Sequence, residues 1–208
     1  AQVEAPPEWL EGQQRMREAA TLAAPIPSGL TAELRPYQVA GFEWLTRLAH
    51  WAPGAVLADD MGLGKTVMSI ALLLRRADDG PAVVVAPTSV VMNWAAELER
   101  FAPALRTRLH HGSGRARDLD LGAGDVLLTS YGLLVNDAEL LQSITFATCI
   151  LDESQAIKNP ASLRAKAAHG MAASFRLALS GTPVENRVGE LHSLFQYVAP
   201  GLLGTSAR

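Results

Sequence analysis

The sequence is short of cysteine and of net charge, and each shortage excludes a class of protein. Cys149 is the single cysteine among 208 residues, so no disulfide forms within the chain, which favours a reducing compartment. The formal net charge is only −3, which excludes a strongly basic protein that binds polyanions through bulk charge. Any contact with nucleic acid must then come from geometry and from a few lysine and arginine side chains.

Long apolar runs and basic leader segments are also missing. No stretch reaches the roughly 20 apolar residues of a membrane span, and the N-terminus lacks a basic stretch followed by an apolar one. We therefore expect neither a membrane span nor a signal peptide. The chain begins with Ala1 instead of Met, and we expect a piece of a longer protein. His110 and His111 lack cysteine partners at metal-ligand spacing, so we interpret them as a surface pair at a strand end.

The composition that remains supports one large domain with a buried core. Hydrophobic residues make up 49% and charged residues 19%, which argues against wholesale disorder. We interpret the proline-containing residues 1–30 as a lead-in segment on the surface of a single domain at residues 31–208. Strands are predicted at residues 55–58, 82–86, 107–110, 126–129, 148–151 and 177–180. Helices are predicted at residues 9–24, 36–51, 64–76, 90–101, 162–172 and 188–198.

The predicted strands indicate how the sheet is built. They are short, apolar and nearly free of charge, and they lack the in-out alternation of a sheet with one solvated face. Strands that alternate with helices in this way predict an α/β fold with a mostly parallel sheet covered by helices on both faces. Ligands of such sheets bind beyond the carboxyl ends of the strands. The polar motifs of this sequence follow apolar strands, so we expect them at that edge.

A phosphate-binding loop is predicted between the first strand of the domain and the helix after it. The segment ADDMGLGKT at residues 58–66 matches the pattern GxxxxGK(S/T) at its end and has Asp59 in place of the first glycine. Glycines let backbone N–H groups approach phosphate oxygens, and the helix start favours an anion. Lys65 can reach the β and γ phosphates and Thr66 can hold Mg²⁺. The alternative is a glycine-rich turn that contains Lys-Thr by chance.

An acidic pair ends the predicted strand at residues 148–151. Asp152 can bind Mg²⁺ directly or through water, and Glu153 can orient or deprotonate the attacking water. Alone, an Asp-Glu pair after a strand is common and mostly structural. Beside a phosphate loop, the same pair predicts nucleotide hydrolysis.

Six motifs follow one another in a recognisable order. They are LRPYQ at residues 34–38, DDMGLGKT at 59–66, APTS at 86–89 with Asn93 and Trp94, LTSY at 128–131, DESQ at 152–155 with IKN at 157–159, and SGTP at 180–183 with Asn186. This order resembles the N-terminal RecA-like lobe of superfamily-two motor ATPases, specifically the Swi/Snf-type DNA translocases. The resemblance covers about residues 30–204. Ser154 and Ser180 depart mildly from the family pattern, which more often has another small residue and Thr there.

The resemblance implies a role for each motif. Gln38 contacts adenine, and Ser180 and Thr182 couple hydrolysis to DNA. The implied catalytic residues are Lys65, Asp152, Glu153 and Gln155, with Thr66 and Asp152 on Mg²⁺. The implied nucleotide contacts are Gln38, Asp60, Met61, Gly62, Leu63, Gly64, Lys65 and Thr66. The implied contacts with DNA phosphates are Thr88, Ser89, Thr129, Ser130 and Lys158.

Most of these roles have a plainer alternative that the sequence leaves open. Gln38 can be an ordinary helix-surface residue, although its amide offers both a donor and an acceptor. The serines and threonines after the strands can cap helices, with or without a phosphate contact. Lys158 can be a solvated side chain. The arginines of residues 106–117 favour a solvated face over a DNA contact; they are Arg106, Arg108, Arg115 and Arg117.

The function implied by the resemblance is that of a DNA-dependent ATPase. ATP and Mg²⁺ are the implied cofactors, and a second RecA-like lobe, absent from this chain, would close over the nucleotide and supply arginine fingers. The protein would translocate on double-stranded DNA and remodel protein–DNA complexes in the cytoplasm, associated with the nucleoid in a prokaryote. The isolated lobe would be nearly inactive. The alternatives are a strand-separating or RNA-stimulated helicase, a non-catalytic scaffold and a small-molecule kinase; the oligomeric state stays open.

Overall fold

A computed structural model describes residues 7–60, 62–112, 114–115, 118–181 and 188–202. The strands are β1 Gly54–Ala58, β2 Ala82–Ala86, β3 Arg106–Leu109, β4 Asp125–Ser130, β5 Thr145–Leu151 and β6 Ala172–Ser180. The α-helices are α1 Pro7–Thr21, α2 Pro36–Trp51, α3 Lys65–Arg75, α4 Thr88–Phe101, α5 Tyr131–Asn136, α6 Ala138–Gln142, α7 Leu163–His169 and α8 Val188–Val198. Two 3₁₀ turns lie at Ala77–Asp79 and Ser154–Ile157.

The described strands form one sheet in the order β1-β6-β5-β2-β4-β3, and each neighbouring pair is parallel. The prediction of an α/β fold with a parallel sheet is therefore confirmed. Because all strands point the same way, their carboxyl ends meet at one edge of the sheet. Strands β2 and β5 are neighbours, and so are β1 and β6. This order brings the segments that follow β1, β2, β4 and β5 to the same edge.

Two apolar cores lie on the two faces of the sheet. Val84 of β2 packs into one core with side chains of α2, α3 and α4. Val83 and Val85 pack into the other core with side chains of α5, α7 and α8. Burying a valine stabilises the fold by about 1.5–3 kcal/mol, and all five residues of β2 are buried. The lack of in-out alternation in the sequence thus reflects burial of both faces.

Several element boundaries differ from the sequence prediction. The helix predicted at residues 162–172 ends at His169, because β6 begins at Ala172 and pairs there with Thr145. Strand β4 includes Asp125 and Ser130, one residue beyond the prediction at each end. The short helices α5 and α6 were not predicted. They have 6 and 5 residues, too few for a helical period to show in sequence.

The lead-in segment lies against the domain. Helix α1 packs on α2, and Arg47 Nε of α2 donates to Leu22 O at 3.4 Å. The backbone N–H of Thr31 donates to Phe101 O at the end of α4, at 2.9 Å. The division at residue 30 stays a prediction. In the described part of the chain, the helices are too short or too polar to cross a bilayer.

Candidate active site

The predicted phosphate loop connects β1 to α3 and is shaped by two glycines. Gly62 and Gly64 have φ values of 84° and 82°, in the left-handed region that side chains with a Cβ rarely adopt. Gly64 is the residue before α3, whose first turn has no side-chain cap. The first N–H groups of α3 are therefore available to an anion. Met61, one of the predicted nucleotide contacts, lies outside the described residues.

Lys65 closes back on its own loop. Its Nζ atom donates to Asp59 O at 2.6 Å and to Asp60 O at 3.0 Å. The ammonium group thus lies at the mouth of the turn, where two backbone carbonyls satisfy it. Asp59 is half-buried and Asp60 is exposed.

Gln38 is built into the loop and is not an ordinary helix-surface residue. Its Oε1 accepts from the backbone N–H of Arg35 at 2.9 Å, and its Nε2 donates to Leu63 O at 3.2 Å. The side chain is only 9% exposed. A Cβ at Gly64 would displace Gln38 Nε2 from this position, and the positive φ of Gly64 already favours glycine there. Adenine contact by Gln38 stays a prediction.

Asp152 is held by three separate elements. Its backbone N–H donates to Val85 O of β2 at 2.8 Å, and its backbone carbonyl accepts from the Tyr131 hydroxyl at 2.7 Å. Its carboxylate accepts from Trp94 Nε1 at 2.8 Å and from the Glu153 N–H at 2.9 Å. Burial raises the pKa of the Asp152 carboxyl, and the Trp94 hydrogen bond opposes that rise.

Glu153 occupies a strained position. Its φ is +49°, the only positive φ of a non-glycine residue in the described ranges, and such a conformation costs about 1–2 kcal/mol. Its Oε2 accepts from Gln155 Nε2 at 2.6 Å. The predicted catalytic residues Glu153 and Gln155 are thus in direct contact, and the hydrogen bond fixes one oxygen of the carboxylate.

These groups line one cavity of about 920 Å³, within the usual range for small-molecule sites. Of the predicted residues, the cavity is lined by Gln38, Gly62, Gly64, Lys65, Thr66, Asp152 and Glu153. The phosphate loop and the acidic pair therefore face the same space. The exposed side chain of Gln155 is not among the lining residues.

The cavity also includes residues that the sequence prediction missed. Helix α4 lines it with Glu97 and Arg100, beside the motif residue Asn93, and Tyr37 of the LRPYQ motif lines it from α2. The spacing 93, 97 and 100 places these α4 side chains on one helical face, a signal that was available in the sequence. Burial raises the pKa of Glu97, and the nearby charge of Asp152 raises it further.

The two predicted DNA segments differ in exposure. Thr88 and Ser89 are exposed in the first turn of α4, whose N-cap is Pro87 and has no side-chain cap. Thr129 is 0% exposed and Ser130 is 3% exposed. Ser130 Oγ accepts from Leu133 N at 3.3 Å and so caps α5. A direct phosphate contact by Thr129 is incompatible with its burial, because β4 extends through this position.

Lys158 and Ser180 are the remaining predicted residues that the structure describes. Lys158 is exposed just after the second 3₁₀ turn. Ser180 is 1% exposed and pairs with Ala58, directly before the phosphate loop. Thr182 and Asn186 lie outside the described residues.

Two aspartates bind three arginines of the cluster and one histidine of the pair. Arg106 and Arg108 each donate to Asp125 Oδ1, at 3.0 and 3.2 Å. Asp137 accepts from Arg115 Nη2 at 2.8 Å. The surface-pair interpretation is wrong for His110, which is 1% exposed and places Nε2 2.8 Å from Asp137 Oδ2. Arg117 lies outside the described residues.

A glycine-rich phosphate loop that faces an acidic strand end on a parallel sheet is the arrangement of a RecA-like nucleotide-binding lobe. A family model described as the SNF2-related domain matches residues 37–208. The chain belongs to this family.

Named relatives support the assignment. The chain is 46% identical over 180 residues to the putative ATP-dependent helicase/translocase YwqA of Bacillus subtilis, covering 83% of this chain and 20% of that protein. It is 42% identical over 185 residues to the chromodomain-helicase-DNA-binding protein 1-like of Mus musculus, covering 84% and 21%. The Sulfolobus solfataricus SWI2/SNF2 ATPase core in complex with dsDNA matches with a TM-score of 0.81 and 38% identity, covering 88% of this chain and 39% of that one. The chain thus spans about a fifth of the length of each of these two curated relatives.

Proposed function

We propose that this chain is the ATP-binding lobe of a DNA-dependent ATPase that translocates on double-stranded DNA and remodels protein–DNA complexes. The observation that carries the proposal is the single cavity lined by Lys65, Thr66, Asp152 and Glu153. A phosphate-binding turn alone would serve many nucleotide-binding proteins. The Glu153 side chain, which lines the same cavity, adds the carboxylate that hydrolysis needs.

The residues present fit a magnesium nucleotide. Gly62 and Gly64 open a turn whose backbone N–H groups suit phosphate oxygens. Thr66 and Asp152 offer hydroxyl and carboxylate oxygens, which are the ligands that Mg²⁺ prefers. Mg²⁺ would neutralise charge on the β and γ phosphates. Tyr37 and Gln38 line the same cavity and would take the base.

The chain's own residues then have distinct tasks. Lys65 would leave the carbonyls of Asp59 and Asp60 and donate to the γ phosphate, since a charged acceptor makes the stronger hydrogen bond. Glu153 would accept a proton from the attacking water with the oxygen that Gln155 leaves free. A second lobe would supply the arginine that stabilises the transition-state charge.

Duplex DNA is the polymer we assign to the strand-end edge. The solved relative with 38% identity is an ATPase core in complex with dsDNA, which favours a duplex over single-stranded or RNA substrates. Thr88 and Ser89 are exposed beside uncapped N–H groups of α4, an arrangement that suits phosphate contact without base readout. A strand-displacement assay on the full-length protein tests the helicase alternative, and efficient unwinding would favour it.

The central test removes the Lys65 ammonium in the full-length protein. We expect Lys65→Ala to lower DNA-stimulated ATP hydrolysis by at least about 100-fold, because the γ phosphate loses a charged donor. The matched control is Lys166→Ala, which removes an exposed lysine on α7 and should leave the rate unchanged. The 208-residue chain alone should bind a fluorescent ATP analogue weakly and hydrolyse ATP very slowly. Equal rates for Lys65→Ala and the wild type would refute the proposed function.

A further inference from the structure

Asp152 is joined to both of the helices that begin at the predicted DNA segments. Trp94 of α4 donates to its carboxylate at 2.8 Å, and Tyr131, the first residue of α5, donates to its backbone carbonyl at 2.7 Å. Helix α4 begins at Thr88 and α5 follows Ser130. The two bonds therefore connect the strand ends after β2 and β4 to the acidic wall of the cavity.

The geometry is well suited to transmit a displacement. Trp94 is 1% exposed and Tyr131 is 4% exposed, so both side chains are fixed by packing. Thr88 and Trp94 lie less than two helical turns apart on the same helix. The far end of α4 is tied by Thr31, whose N–H donates to Phe101 O at 2.9 Å and whose Oγ1 donates to Arg100 O at 2.6 Å. A shift at the start of α4 thus reaches Asp152 through a single side chain.

We propose that Trp94 and Tyr131 are positioning residues, through which DNA contact at the start of α4 and the packing of the start of α5 set the orientation of Asp152. The proposal deepens the proposed function and rests on it. Trp94 sets the rotation of the Asp152 carboxylate, which would hold Mg²⁺. Tyr131 sets the position of the Asp152 backbone at the end of β5. Partners of metal ligands typically change metal affinity or activity by about 10- to 100-fold when they are removed.

The chain contains a matched control for Tyr131. Tyr197 of α8 is 0% exposed, and its hydroxyl donates to Cys149 O of β5 at 3.0 Å. Tyr131→Phe and Tyr197→Phe therefore each remove one tyrosine hydroxyl that donates to a backbone carbonyl, on Asp152 directly after β5 and on Cys149 within β5. Only the first bond ends on Asp152. A general loss of stability should lower the melting temperature of both variants by similar amounts.

The first experiment measures DNA stimulation in the full-length protein. We expect Tyr131→Phe to lower the ratio of DNA-stimulated to basal ATP hydrolysis by about tenfold, with an unchanged affinity for duplex DNA. Tyr197→Phe should keep the wild-type ratio. Equal ratios in the two variants, or a fall in DNA affinity that accounts for the lost stimulation, would overturn the proposal for Tyr131.

The second experiment reads the Trp94 bond without turnover. Binding of a fluorescent ATP analogue is measured with Mg²⁺ and with a chelator in its place. Trp94→Phe should weaken binding about tenfold with Mg²⁺ and less than twofold with the chelator. Equal weakening in both conditions, or none in either, would overturn the proposal for Trp94. If duplex DNA does not stimulate ATP hydrolysis by the wild-type protein, the proposed function is refuted. The Mg²⁺ dependence of nucleotide binding by Trp94→Phe would still decide whether Trp94 orients Asp152.

Discussion

The strand ends after β2 and β4 have similar sequences and different surroundings. Each carries a threonine followed by a serine, at residues 88–89 and 129–130. Strand β2 ends at Ala86, and Pro87 becomes the N-cap of α4, so both hydroxyls lie exposed in the first helical turn. Strand β4 continues through Ser130, so Thr129 is buried in the sheet and Ser130 becomes the cap. The last residues of the two strands, Ala86 and Ser130, pair with each other. The position of the Thr-Ser pair relative to the strand end therefore decides whether it faces solvent or the core.

This difference in exposure suggests different roles for the segments at residues 88–89 and 129–130. Thr88 and Ser89 are available for a direct contact with a DNA phosphate. Ser130 and Tyr131 instead fix the start of α5, where the Tyr131 hydroxyl reaches Asp152. One strand end is suited to touch the polymer and the other to hold the catalytic edge in place.

The largest expected effect comes from placing a carboxylate in each segment. Thr129→Asp should destabilise the fold by about 3–5 kcal/mol, because the new charge is buried without a partner. Ser89→Asp should leave the fold intact, since an acidic residue in a first helical turn is favourable. It should weaken duplex binding by about 1 kcal/mol, roughly fivefold, through repulsion of phosphate.

Urea denaturation and a DNA titration at fixed salt measure the two effects. The control is Thr129→Val, which removes a hydroxyl without a hydrogen-bond partner among the described residues and should be nearly neutral. A Thr129→Asp variant that is soluble and as stable as the wild type would contradict the conclusion that residue 129 is buried.

A smaller effect is expected from removing one hydroxyl at each helix start. Ser130→Ala should lower the free energy of unfolding by about 1 kcal/mol, because α5 loses its N-cap. Thr88→Ala should change it by less than about 0.5 kcal/mol, because α4 has no side-chain cap to lose. Denaturant melts of the two variants, run side by side, measure the difference. Equal losses would mean that Thr88 also caps its helix.

The smallest expected effect concerns the other end of α5 and depends on pH. The hydrogen bond from Arg115 lowers the pKa of Asp137 to about 2. Since the folded pKa lies below the unfolded value, the ionised carboxylate stabilises the fold above about pH 4, and this contribution disappears as the pH falls through 2. Asp137→Asn should therefore lower the melting temperature at pH 7 and have little effect near pH 2. The exposed Asp78→Asn serves as the control in calorimetric scans; a constant difference across pH would contradict the assignment.

Much of the fold was predictable because its signals are local. The buried strands, the helix after Pro36 and the phosphate loop each show in a few consecutive residues, and the parallel sheet follows from strands without alternation. The positions that differ depend on contacts distant in sequence. Thr129 is buried where it pairs with Val85 of β2 in the interior of the sheet, and His110 is buried where its Nε2 meets Asp137. No local pattern reports either pairing.

The candidate site shows the same division. The lysine, the acidic pair and the glutamine of the LRPYQ motif were found from motifs, and the structure places them around one cavity. The bond between Trp94 and Asp152 joins residues 58 positions apart, and no spacing rule predicts it. Glu97 and Arg100 lie on the same face of α4 as Asn93 and were missed because no motif includes them.

At Glu153, the left-handed backbone conformation lowers the stability of the fold, while the side chain is the one that the proposed activity needs. Glycine would relieve that conformation at no steric cost, whereas the carboxylate that the proposed hydrolysis requires is available only from the strained residue. A laboratory selection for heat resistance alone would therefore favour variants that fold more firmly and no longer turn over nucleotide. A thermostable variant that keeps the proposed activity must therefore retain Glu153 and carry its stabilising substitutions at other positions.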